Sequence, residues 1–97
     1  MTEQEYRNIF LQTFSYHVVA RVCNDTAAIE KSAKTLRRVL NFGTHNNILS
    51  YEAKAYMAYP KEFIAKGEDQ YRKDRYVGCA QGKHEVDVLD NATKQLP

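Results

Sequence analysis

Between Tyr6 and Cys23 apolar side chains recur every fourth residue, at Tyr6, Phe10, Phe14, Val18 and Val22, with Leu11 beside them. Ile9, Tyr16 and Val19 fall on other sides, so the remaining polar strip of Glu5, Asn8, Gln12 and Ser15 is narrow. A helix apolar over most of its circumference has to be covered from more than one direction. The segment is therefore expected to be the central helix of the core, or a core helix that also meets a partner. His17 and Arg21 continue the row of Phe10 and Phe14, and a polar group in a buried row needs a hydrogen-bond partner or an exit to the core's edge.

The flanking residues set the limits of this helix. Thr2 with Glu5 three residues on is a capping box, which satisfies amides at the first turn. Asn24-Asp25-Thr26 is turn and N-cap chemistry, so the first helix should end near Cys23 and a second begin at once. The second is expected to reach about Phe42 and stop at Gly43, where glycine tolerates a left-handed C-cap. It is amphipathic: Ala28, Ile29, Ser32, Ala33, Leu36, Val39 and Leu40 share a face, with Lys31, Lys34, Arg37 and Arg38 opposite. The short connection favours an antiparallel pair.

Beyond the loop of Thr44–Asn47, a third helix is expected from Ile48 or Ser50 to Tyr59, limited by Pro60. It mixes small Ala53, Ala55 and Ala58 with Tyr51, Tyr56 and Tyr59. Phe63, Ile64, Gly67 and Tyr71 fit one face of a fourth helix, with a loop as the other reading of residues 61–75. After Arg75 the period changes to two, and residues 76–80 and 83–89 flank Gln81-Gly82 as in a β-hairpin. In that register Val77, Cys79, His84, Val86 and Val88 face inward, while Lys83, Glu85 and Asp87 face outward. The fold class this predicts is α+β, mostly helical. Three or four helices pack around the N-terminal one, with a C-terminal hairpin; an all-α bundle is the alternative. Residues 1–90 read as one domain and residues 91–97 as a polar tail.

Composition narrows the function classes. A net charge of +2 lacks the concentrated basic excess of dedicated nucleic-acid binders. No apolar run is long enough to span a bilayer, and Thr2, Glu3 and Glu5 are unlike the basic start of a secretory signal. Cys23 and Cys79 accordingly read as reduced thiols in the cytoplasm. His17, Cys23, His45, Cys79 and His84 lack the close pairs of a zinc site, and phosphate-cradling glycine motifs and HExxH are absent. Neither a cofactor nor a catalytic residue is expected.

The strongest candidate surface is the basic stripe of Lys31, Lys34, Arg37 and Arg38, spaced to hold a phosphate backbone or an acidic protein surface. Tyr51, Lys54 and Tyr56 of the third helix extend it, because tyrosine is favoured at interfaces. Glu85, Asp87 and Asp90 make the C-terminal region acidic, and opposite patches suit docking to a protein or head-to-tail association. The expected function is that of a small non-catalytic protein-binding module. It would act as a stoichiometric regulator or inhibitor of a larger, nucleic-acid-processing partner or nucleoprotein complex, of the kind that phages and mobile elements carry. The alternative is a helix-turn-helix or winged-helix DNA-binding protein, with Gly43 in the turn and the hairpin as wing.

Overall fold

A computed structural model describes residues 1–96; Pro97, the last residue of the expected tail, lies outside the described residues. Five helices follow one another: α1 (Glu3–Val22), α2 (Thr26–His45), α3 (Tyr51–Ala58), α4 (Pro60–Asp74) and α5 (Cys79–Thr93). Among the described residues there is no strand, so the α+β class is overturned and the all-α alternative holds.

α1 is the rod around which the others gather, in contact with all four. Its capping box forms as expected: Thr2 N–H donates to Glu5 Oε1 at 2.8 Å, and Glu5 N–H donates to Thr2 Oγ1 at 3.1 Å. Tyr6, Phe10, Phe14, Val18 and Val19 are all buried. Phe10 and Phe14 stack at 6.1 Å, and Tyr56 of α3 and Phe63 of α4 close on Phe14 edge-on at 5.7 and 4.9 Å. Aromatic area of this kind dominates the core, and truncating Phe10 to alanine would cost about 3–5 kcal/mol.

α2 starts at its Asp25 cap and runs back along α1, so that His17 meets Ser32 near one end and Tyr6 meets Val39 near the other. The Tyr6 hydroxyl donates to the Val39 carbonyl at 3.0 Å, and burial pushes its pKa up to about 12. Gly43 does not end α2. The helix continues through it to His45, and the left-handed residue is Asn47 at φ 55°. Gly43 instead lies under the Tyr6 ring, whose tip would collide with any Cβ there.

α3 buries only Ala53, and α4 begins directly behind it with Pro60 at N1, where a missing N–H costs nothing. The helical reading of residues 61–75 holds: Phe63, Ile64 and Tyr71 face the core, and a Cβ on Gly67 would press on Val18 and Phe14.

The expected hairpin is the principal error. Residues 79–93 wind as α5, burying Gly82, Val86, Leu89, Asp90 and Thr93 at helical spacing. Alternating valines around Gln81-Gly82 imitate strand and turn, but Gly82 serves a helix crossing, where a Cβ would stand 2.5 Å from Val19 Cγ1. Of the residues assigned inward, Val86 is buried and Val77 half-buried, whereas His84 and Val88 are exposed. Cys79 bonds to Cys23 in a disulfide, with Cα atoms 5.8 Å apart, which overturns the reading of two reduced thiols. Sequence spacing could not show that the end of α1 and the start of α5 coincide. None of the described helices is long and apolar enough to cross a membrane.

Candidate functional site

The basic stripe of α2 divides when α5 lies against it. Lys31 Nζ donates to Asp87 Oδ1 at 2.7 Å. Arg38 Nη1 donates to Thr93 Oγ1 at 2.8 Å, and to the Asp90 carbonyl and Oδ1 at 3.2 and 3.3 Å. Thr35 Oγ1 and Lys94 Nζ also approach the Asp90 carboxylate, each at 3.3 Å. Burial works to raise the Asp90 pKa, but the hydrogen bonds from Lys94 and Arg38 outweigh it and leave it below the usual value. The acidic and basic patches expected to face outward as separate docking surfaces thus meet each other along the α2–α5 seam.

Lys34 and Arg37 form no ion pair among the described residues. Lys34 stands between Lys31 and Arg38 in an open groove of about 360 Å³, lined also by Ala27, Glu30, Asp90 and Lys94. Arg37 is exposed one turn on from Lys34, and it and Arg21 favour the phenolate of Tyr56 against the larger, opposing effect of burial.

The residues expected on α3 separate as well. Tyr56 is half-buried among Phe10, Phe14 and Phe63 and is committed to packing. Tyr51 is 84% exposed and, with Lys54, borders a second groove of about 420 Å³ with Glu3, Gln4 and Arg7 of α1. There Arg7 Nη2 pairs with Glu52 Oε2 at 2.8 Å, and Glu52 Oε1 has no hydrogen-bond partner. The guanidinium holds the Glu52 carboxyl below its usual pKa. Met57 of α3 and Tyr59, the residue capping its C-terminus and 64% exposed, add apolar surface there.

His17 and Arg21 are satisfied inside the chain. His17 is 5% exposed, with Nδ1 2.7 Å from Ser32 Oγ. The Ser32 hydroxyl also reaches the Ile29 carbonyl at 3.1 Å, and both contacts are met when Nδ1 carries the imidazole proton. Desolvation, then the charge of Arg21, lowers the His17 pKa to about 4, with Glu68 opposing. Arg21 Nε donates to Glu68 Oε2 at 3.3 Å.

Sequence reasoning missed Thr13, Thr35 and Thr93, which join His17, Ser32 and Asp90 as buried polar residues among α1, α2 and α5. Thr35 and Thr93 each follow a helical step from a recognised residue, yet only the contact with α5 makes them interior. No family model matches the chain, and neither a curated protein nor a solved structure matches it.

Proposed function

We propose that this chain is a small non-catalytic protein-binding module. It acts as a stoichiometric regulator or inhibitor of a larger, nucleic-acid-processing partner, of the kind that phages and mobile elements carry. The observation that carries the reading is the set of exposed side chains on α2 and α3, which stand beside two separate grooves. Unpaired Lys34 and Arg37 stand on one helix, and the exposed rings of Tyr51 and Tyr59 with Lys54 stand on the other. Cations without internal partners steer an acidic surface into place, and solvent-exposed tyrosines supply the contact area that anchors it. The winged-helix alternative has lost its wing, since the segment assigned to the hairpin is α5.

Affinity purification from the native host, followed by reconstitution with the recovered protein, tests the proposal. A one-to-one complex is expected, lost on Lys34→Glu with Arg37→Glu and weakened at least tenfold by Tyr51→Ala. Steeply salt-dependent binding to duplex DNA, with no protein complex affected by these substitutions, would refute it.

A further inference from the structure

Three observations converge on α5. The helix is held covalently at its first residue, because Cys79 is bonded to Cys23 immediately past the end of α1. Cys79 is exposed, so a reductant can reach the bond.

The interface beneath α5 mixes polar and apolar groups, with Tyr16 and Val19 of α1 beside three hydroxyl side chains. α5 buries two large apolar side chains, Val86 and Leu89, and these face Thr13, Ser32 and Thr35 across a seam with no room for a water molecule. Thr13 Oγ1 in that seam has no hydrogen-bond partner. The helix itself is weakly determined: Gly78 gives it no side-chain cap, Gly82 sits inside it, and Asp90, Asn91 and Thr93 crowd its last turn.

The charges of α5 are complementary to those it covers. Asp87 and Asp90, three residues apart, occupy Lys31 and Arg38 on either side of unpaired Lys34. A helix presenting carboxylates at that spacing is the ligand for which the stripe is already shaped, and α5 supplies it from within the chain.

We infer that α5 is a redox-released partial cover of the basic stripe of α2, holding Lys31 and Arg38 while Lys34 and Arg37 stay exposed, and that in the reduced protein an acidic helical segment of a protein partner takes its place. This rests on the protein-binding reading above and adds its regulation. Release proceeds by thiol–disulfide exchange with a dithiol. A thiolate of the dithiol attacks Cys79 Sγ and the Cys23 thiolate leaves. The second dithiol sulfur then displaces Cys79, ending as a disulfide, while Cys23 and Cys79 each take up a proton. Two electrons pass from the dithiol to the protein. Tethered only by the segment after Asp74, α5 then competes with the partner instead of excluding it.

Hydrogen exchange on the oxidised protein, on protein reduced with dithiothreitol, and on the Cys23→Ser, Cys79→Ser variant tests the release. The amides of residues 83–93 should lose at least tenfold in protection while those of α1 and α2 keep theirs. Equal protection of α5 in both redox states overturns the inference and leaves the protein-binding reading standing. Loss of protection throughout α1 and α2 also overturns it, since α5 would then not be a separable cover. Binding is read with a fluorescein-labelled, glutamate-rich 20-residue helical peptide. The reduced protein should bind at least tenfold more tightly than the oxidised one, and Lys31→Gln with Lys34→Gln should remove the gain. If α5 is released and no affinity is gained, the inference fails, and the protein-binding reading is decided separately by the affinity purification above. Tighter binding of the reduced protein to a 20-base-pair duplex than to the peptide overturns the assignment of a protein partner.

Discussion

Lowering the pH from 7 toward 4.5 should destabilise this protein before its carboxylates protonate, because His17 is folded into the core as a neutral imidazole. Its pKa falls from 6.5 in the open chain to about 4 in the native state, through desolvation first and the nearby Arg21 charge second, with Glu68 opposing. Between those values the unfolded chain binds a proton that the folded chain refuses, so stability is full above pH 6.5 and drains away as the pH falls to about 4. The whole depression corresponds to about 3 kcal/mol, of which about 2 kcal/mol is lost by pH 4.5. The lowered pKa values of Glu5, Glu52, Asp87 and Asp90 act in the same direction, but below the ordinary carboxylate values, so the upper window belongs to His17.

Urea titrations of the oxidised protein at pH 7, 6, 5 and 4.5 measure the effect. With an m-value of about 1–2 kcal/mol/M, the midpoint should fall by about 1–2 M over that range. The control is His17→Asn, whose amide can still donate to Ser32 but cannot titrate. It should be less stable than the parent at pH 7 and nearly level between pH 6.5 and 4.5. Parallel loss in the two proteins would show that the imidazole does not carry the pH dependence, and the account of a buried neutral histidine would be wrong.

The remaining predictions use the same titration. Cys23→Ser with Cys79→Ser should cost about 4 kcal/mol, the loop-closure entropy for a separation of 56 residues; a loss under about 1 kcal/mol would mean that the cross-link hardly constrains the unfolded chain. Gly82→Ala should lose about 1–3 kcal/mol despite alanine's better helix propensity, because its Cβ meets buried Val19, whereas Gly78→Ala, with open space around it, should stay within about 0.5 kcal/mol. Equal effects at the two glycines would contradict the close crossing of α1 and α5. Asp90→Ala should cost about 1 kcal/mol, because Arg38 keeps Thr93 and the main-chain carbonyl of residue 90 and Thr35 keeps the Lys31 carbonyl, while Lys31→Ala leaves the midpoint unchanged within error because its pair with Asp87 is half-exposed.

Local signals carried much of this fold. The capping box at Thr2, the four-residue repeat from Tyr6, the Asp25 cap and Pro60 each act within a turn or two of themselves, and each stands where its chemistry required. Interactions set by distant partners were not legible. Gly82 looks like turn chemistry until the side chain that crosses it is known, and Cys79 looks like a strand thiol until it meets Cys23. The basic stripe is visible as a helical row, but not that Lys31 and Arg38 are matched from within, because the hairpin reading puts Asp87 on an outward strand face and Asp90 past the strand's end. Thr35 was passed over for the complementary reason: it is polar in sequence and interior only beneath α5.

The glycines explain how so short a chain covers a helix that is apolar nearly all round. Gly43 takes the Tyr6 ring, Gly67 takes Val18 and Phe14, and Gly82 takes Val19. Three neighbouring helices thus approach α1 through a residue without a side chain, and α3 does so through Ala53. Close approach lets α1's own side chains fill the interhelical space, so the core is supplied mainly by one helix and its neighbours need less apolar surface of their own. The division of labour is uneven around α1. Toward α3 and α4 the space is filled by aromatic rings, and toward α5 by the hydroxyls of Thr13, Ser32 and Thr35 and the Asp90 carboxylate beside Tyr16, Val86 and Leu89. A seam of hydrogen-bonded polar groups can exchange its partners for water at far lower cost than an aromatic cluster can. The helix resting on that seam is the one we infer to be released, and it is also the one that a covalent bond fastens.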